Sequence, residues 1–286
     1  MSNLINKKIS GFSDEISEIT KEQFEALNKF GIDYFEPRGI DGKNISKLTE
    51  DEMFALKALM DEHGIKASSI GSPIGKIKVT DDFESHLEVL ENVVKAAKIL
   101  GTKYIRVFSF YHEIDTEWTE EERAEVFRRM QLLIDYAKKE DVILLHENEK
   151  DIYGDTADRC LELMKEFYCP NFKAIFDPAN FVQAGEDTKR AYDMMKPYIE
   201  YMHIKDALKD EGGIVPAGKG DGNIEFILSD LFASGYDGFL SLEPHLGKFK
   251  GLADLELDDK MLELPDAGEA TFELAHKSLL EILNGI

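Results

Sequence analysis

Short apolar runs alternate with longer stretches in which apolar residues recur every three or four positions. Strand-like and helix-like patterns therefore take turns along the whole chain. The pattern predicts strands at Lys8–Phe12, Ile32–Arg38, Ile65–Ser72, Lys103–Phe110, Val142–Glu149, Phe172–Asp177, Ile199–Lys205 and Gly238–Glu243. It predicts helices at Lys21–Phe30, Glu50–His63, Asp82–Leu100, Thr119–Lys139, Thr156–Phe167, Thr188–Met195, Ile224–Ser234 and Ala270–Asn284. Gly31, Gly64 and Gly101 each stand between a helical run and the next strand, where a C-cap glycine closes a short turn. Thr119 and Glu122 have the spacing of a capping box.

Eight strand–helix units in 286 residues average about 36 residues each, which suits an α/β fold of the (β/α)8 TIM-barrel type, with residues 1–286 forming one domain. An open doubly wound sheet is the competing architecture. It usually carries a glycine-rich fingerprint after its first strand, whereas here that turn reads GFSDEISE. Two loops are long: Asp206–Gly222, rich in glycine, and Leu246–Asp266. Both would lie on the carboxyl face of a barrel, where active sites form, and loops of this length are usually functional. The second reads equally as a lid or as an oligomer contact. The Gly218-Lys219-Gly220 turn resembles an anion-binding loop only faintly and reads better as a flexible turn.

Composition narrows the partners. Lys plus Arg is 34 and Asp plus Glu is 57, a formal charge of −23. Such a surface repels phosphate backbones and anionic membranes, so neither nucleic acid nor a membrane is an expected partner. The start, MSNLINKKISGF, lacks the apolar stretch of a signal peptide, and no run approaches the roughly 18 apolar residues of a membrane span. A cytoplasmic location is expected. The two cysteines, Cys160 and Cys169, read as packed or idle thiols.

Candidate chemistry gathers at the ends of four successive predicted strands. Glu147, Asp177, His203 and Glu243 lie in the runs VILLHENE, FKAIFDPANF, IEYMHIKD and FLSLEPH. Their spacings (147 to 177, 177 to 203, 203 to 243) each approximate one repeat. Alone, each acid could belong to an ordinary turn, and a lone histidine is usually a satisfied core residue. Together, on neighbouring strands about 4.8 Å apart, the four converge on one point. Carboxylates facing a barrel interior do not stay ionised unless paired or bound to metal. Three carboxylates and one imidazole suit one divalent ion, with Mn²⁺, Mg²⁺ or Co²⁺ favoured and Zn²⁺ compatible.

Period-two alternation places Glu149, Lys205 and His245 on the same inward faces and points His146 outward. Glu36 and Arg38 end the second strand, Ser69 lies in the third, and His112 follows the fourth. With Lys205 and His245 these are the candidate substrate contacts. Arg106, inside the fourth strand, reads as a barrel arginine satisfied by a core carboxylate.

The motifs HENE, FDPANF, MHIKD and SLEPH resemble those of the sugar phosphate isomerase/epimerase family with the xylose isomerase-like barrel. GFSDEIS, EPRGIDGKNI and IRVFSFYHE strengthen that resemblance, which covers the whole chain. It implies that Glu147, Asp177, His203 and Glu243 bind one divalent metal. It further implies that Glu147 and Glu243 double as the acid/base pair and that Lys205 lies at the substrate site. A homo-oligomer is expected.

The expected chemistry is removal of a proton next to a carbonyl of a sugar or polyol, through a metal-stabilised enediolate. Return to the opposite face of the same carbon gives epimerisation. Return to the neighbouring carbon gives isomerisation. Loss of a β-hydroxyl instead gives an inosose-type dehydratase. From another class, the same pocket would serve a non-catalytic sugar-binding barrel. Cleavage at abasic DNA is disfavoured, because that chemistry generally needs several metals and more histidines, and the charge opposes DNA.

Overall fold

In a computed structural model of the chain, residues 8–112, 117–210, 213–249 and 266–286 are described. Eight parallel strands follow the expected order: β1 Lys8–Gly11, β2 Tyr34–Phe35, β3 Lys66–Ala67, β4 Tyr104–Val107, β5 Ile143–Glu147, β6 Phe172–Phe176, β7 Ile199–Ile204 and β8 Phe239–Leu242. A helix follows each: α1 Thr20–Phe30, α2 Glu50–His63, α3 Phe83–Leu100, α4 Glu120–Glu140, α5 Ala157–Phe167, α6 Thr188–Met195, α7 Ile224–Ala233 and α8 Glu269–Gly285. The C-cap glycines adopt the left-handed conformation, with φ of 71° at Gly31, 72° at Gly64 and 82° at Gly101. Thr119 and Glu122 form the expected capping box, and Thr49 with Glu52 forms another.

Six strands make one continuous curved sheet in the order β1-β8-β7-β6-β5-β4. β2 and β3 pair as a short parallel ladder, and a few backbone bonds complete the ring. The Glu36 amide donates to Gly11 at 2.9 Å, the Ser68 amide to Phe35 at 2.9 Å, and the Ile70 amide to Tyr104 at 2.9 Å. β2 and β3 are much shorter than their apolar runs suggest. Pro37 has no amide to donate, and beyond Phe35 and Ala67 the two runs keep only isolated ring-closing bonds.

Period-two alternation along the strands sorts two environments. Leu144, Ala174 and Met202 face outward into the large core shared with the helices. Leu145, Ile175 and Tyr201 pack inside the barrel as a separate apolar plug. Two residues further along the same inward faces stand Glu147, Asp177 and His203. The fold thus seals the barrel below these groups and leaves them buried at the carboxyl end.

In the loop after β7 the turn at residues 218–222 is organised around the carboxylate of Asp206. Amides of Gly218, Gly220 and Gly222 donate to the Asp206 carboxylate at 2.9, 2.9 and 2.8 Å. Most of the loop Leu246–Asp266 lies outside the described residues. Among the described residues, no helix is long and apolar enough to cross a membrane.

Candidate metal centre

Glu147 ends β5, Asp177 directly follows β6, His203 lies in β7 and Glu243 directly follows β8. One ligand atom from each lies within 4.8 Å of the others, and all four residues are buried. His203 Nδ1 faces the acids, 2.9 Å from Glu147 Oε1, 3.5 Å from Glu243 Oε2 and 4.0 Å from Asp177 Oδ2. Its other nitrogen, Nε2, lies 3.3 Å from Glu36 Oε2.

Local structure fixes each acid. Asp177 caps the short helix Pro178–Gln183, with the Asn180 amide donating to Oδ1 at 3.0 Å. Proline at the first helical position suits that cap. The Asn148 side chain clasps the Asp177 backbone, accepting from its amide and donating to its carbonyl, both at 2.9 Å. Asp177 Oδ2 is therefore turned into the cluster. It is buried and makes no hydrogen bond among the described residues, where Lys205 Nζ lies 3.2 Å away.

Cations surround the set. Lys205 Nζ is also 3.1 Å from Glu243 Oε2. Arg106 Nη1 lies 3.2 Å from Glu147 Oε2 and 3.6 Å from Glu243 Oε1. Arg38 Nη1 donates to Glu243 Oε1 at 3.2 Å, while its other nitrogens bind Asp14 and Glu15. His245 Nε2 sits 3.5 Å from Glu243 Oε1 and 3.6 Å from Glu15 Oε1.

The electrostatics follow from burial set against these neighbours. Burial raises a carboxyl, but His203 and Arg106 outweigh it at Glu147 and hold that group down to about 2. Burial is likewise overcome at Glu243, which Lys205 and His245 hold well below the usual range. At Asp177 burial prevails, opposed by Lys205 and reinforced by Glu243 and Glu147, and pushes the group up to about 7. His203 is lifted well above its ordinary value, because Glu147 and Glu36 overcome the burial that would lower it. Three carboxylates this close need a cation or a shared proton among them. The unsatisfied Asp177 oxygen and the oxygen-rich donor set fit a divalent ion.

The other sequence candidates take varied places. Glu36 is buried beneath His203, and its Oε2 accepts from the Tyr201 and Ser241 hydroxyls at 2.9 and 2.8 Å. Ser69 is fully buried, and its hydroxyl has no hydrogen-bond partner among the described residues. His112 lies 3.1 Å from Glu122 and packs edge-on against Trp118. His146 points outward, 3.0 Å from the Ser109 hydroxyl.

Sequence reasoning gave no role to Asp14, Glu15 or Lys76. Asp14 and Glu15 hold Arg38, and Lys76 pairs with Glu149 at 3.1 Å in a buried site. The only sequence signal for the first two was the acidic pair in GFSDEIS.

The model of a family described as the xylose isomerase-like TIM barrel matches residues 24–262. A 3-dehydroshikimate dehydratase from Bacillus anthracis is 24% identical over 184 residues, which are 58% of this chain and 65% of that protein. The chain thus matches slightly less than two thirds of that relative's length. Among solved structures, the IolI protein with a binding zinc atom superposes with a TM-score of 0.74 at 19% identity, covering 97% of this chain and 98% of its own. A D-allulose 3-epimerase from Methylomonas sp. in complex with D-allulose gives 0.72 at 17% identity, covering 98% and 97%.

Proposed function

The chain belongs to the xylose isomerase-like TIM barrel family, and on that premise we propose that it is a divalent-metal-dependent isomerase or epimerase of a sugar or polyol. The observation that carries this reading is the convergence of Glu147, Asp177, His203 and Glu243 within 4.8 Å at the closed carboxyl end of the barrel. These four would hold one ion. Mn²⁺, Mg²⁺ or Co²⁺ suits three carboxylates and one imidazole, and the zinc in a structural neighbour makes Zn²⁺ a candidate as well. When bound, such an ion polarises a substrate carbonyl and stabilises the charge that develops on its oxygen.

The chain's own residues do the rest. Glu147 and Glu243 enter from different strands, so one removes the proton next to the carbonyl and the other returns it. His203 is held by Glu36, which fixes the ring with Nδ1 toward the acids. Lys205, Arg38 and His245 surround Glu243; Arg38 is tied to Asp14, Glu15 and Glu243, and Lys205 and His245 are the candidates to meet substrate hydroxyls. Ser69 and His112 remain candidates for more distant parts of the substrate.

A second reading, dehydration of a keto-polyol, is favoured by the similarity to a dehydratase. It shares the first proton abstraction and then loses a β-hydroxyl. Incubating the Mn²⁺-loaded protein in D₂O with a panel of ketoses, aldoses and inososes tests both. Deuterium entering next to the carbonyl, abolished by EDTA, supports the isomerase or epimerase. An ultraviolet-absorbing enone moves the assignment to the dehydratase. No exchange and no enone across the panel sinks both and leaves a binding barrel.

A further inference from the structure

Two buried arginines approach the acid set, and they are bonded differently. Arg38 is fully engaged: Nε and Nη2 bind Asp14 at 2.9 and 3.0 Å, Nη2 also reaches Glu15, and Nη1 binds Glu243. Arg106 contacts carboxylates through Nη1, and its buried Nε has no hydrogen-bond partner among the described residues. A buried donor left unmade is costly, so an arginine serving the fold alone would normally have Nε satisfied.

The carboxylates that Arg106 touches are divided in the same way. Glu147 turns Oε1 toward His203 Nδ1 and Oε2 toward Arg106. Glu243 turns Oε2 toward Lys205 and His203, while Oε1 accepts from Arg38 Nη1 at 3.2 Å and has Arg106 Nη1 beside it at 3.6 Å. One guanidinium nitrogen thus reaches the second oxygen of both acids. Two aromatic rings pack on it, with the ring centroids of Phe12 and Phe108 each 4.9 Å from Arg106 Cζ. Phe12 also packs edge-on against His203 at 5.3 Å, tying the arginine to the imidazole of the set. A planar cation packed on two rings in a buried site cannot swing away at little cost.

We infer that Arg106 is a positioning residue for proton transfer: it braces the second oxygens of Glu147 and Glu243 from one point and keeps its Nε–H for an oxygen of the bound substrate. The inference rests on Glu147 and Glu243 being the proton-transfer pair. It gives Arg106 a task separate from holding the ion, because a cation contributes nothing as a ligand to a metal.

Arg106→Met and Arg106→Lys test it, each compared with wild type by thermal melting, by Mn²⁺ calorimetry, and by kcat and KM on a ketose that exchanges in D₂O. Mn²⁺ affinity at or above wild type is expected in R106M, since a neighbouring positive charge is removed. Turnover is expected to fall on the order of 100-fold in both variants, the scale of a misplaced catalytic group. Guanidinium ion added to Arg106→Ala should restore part of it. Near-wild-type turnover overturns the inference, as does a parallel loss of metal affinity and melting temperature. If wild type exchanges no substrate, the proposed function fails and Arg106 is judged on the Mn²⁺ electron paramagnetic resonance spectrum alone. A spectrum altered in R106M supports the brace, and an unaltered one overturns it.

Discussion

Glu36 sits directly behind His203, with Oε2 3.3 Å from the ring Nε2 while Nδ1 faces the three acids. The carboxylate is itself held by the hydroxyls of Tyr201 and Ser241. A histidine that ligates through one nitrogen needs its other N–H oriented, and a carboxylate does this best. Glu36→Gln keeps the shape but loses the charge. It is expected to weaken Mn²⁺ binding about 10–100-fold by calorimetry, as outer-sphere partners typically do. Unchanged affinity would show that Glu36 serves the barrel interior only.

The three acid ligands are expected to separate into two kinds. Glu147→Gln and Glu243→Gln keep an oxygen donor near the site but lose the proton acceptor, so turnover should fall about 10²–10⁴-fold with part of the metal retained. Asp177→Ala removes Oδ2, which makes no hydrogen bond among the described residues, together with Oδ1, which caps the helix Pro178–Gln183, so the losses there should be metal content and some stability. Elemental analysis beside the D₂O exchange rate distinguishes the outcomes. Equal effects of all three substitutions on both readouts would mean that the acids do not divide the work.

Metal removal should destabilise the protein and do so in a pH-dependent way. An ion at 100 times its dissociation constant adds about 2.7 kcal/mol to the folded state. EDTA should therefore lower the melting temperature by several degrees, and Mn²⁺ should restore it. Asp177 is pushed up to about 7 by burial and by the neighbouring Glu243 and Glu147, against the pull of Lys205. Below pH 7 the ion must displace a proton from the set, so affinity should weaken as pH falls through 7. Calorimetry at pH 6 and 8 in two buffers of different ionisation heat measures that proton release.

The sequence made the four metal candidates legible because each ends an apolar run, and apolar runs at regular spacing fix both the strand and its inward face. Gly31, Gly64 and Gly101 were legible for a similarly local reason, since only a left-handed turn was needed. What stayed hidden depends on closure of the barrel. Asp14 and Glu15 reach Arg38 only when the turn after β1 meets the end of β2. Lys76 meets Glu149 only when the loop after β3 folds over the end of β5. Asp206 gave no sign that its own carboxylate would fill the glycine turn, because the three donating amides lie 12 to 16 residues away. Asp177 is the instructive intermediate case. FDPAN read as a turn, yet aspartate followed by proline is also a cap followed by a first helical residue, and the short helix Pro178–Gln183 is what forms.

Outside the metal set, His86 should make stability fall in mild acid. Its Nε2 accepts a hydrogen bond from the Gly75 amide at 2.8 Å, which a protonated ring could not do. Burial, with Arg129 nearby, pushes its titration down to about 4 from an ordinary 6.5. The folded state therefore binds the proton less readily than the unfolded chain, which titrates near 6.5. The contribution of the neutral ring is fully present above 6.5 and is lost as pH falls toward 4, after which both states are protonated and the loss levels off. Gly75 cannot easily readjust, since it holds a φ of 89° against the Phe108 carbonyl. The expected loss between pH 7 and pH 4 is on the order of 2 kcal/mol from this group. Urea unfolding at several pH values measures it in wild type and in His86→Gln, whose amide side chain does not titrate. The substituted protein should be less stable at pH 7 and should show a shallower decline below it. An identical pH profile in the two proteins would remove His86 as the source.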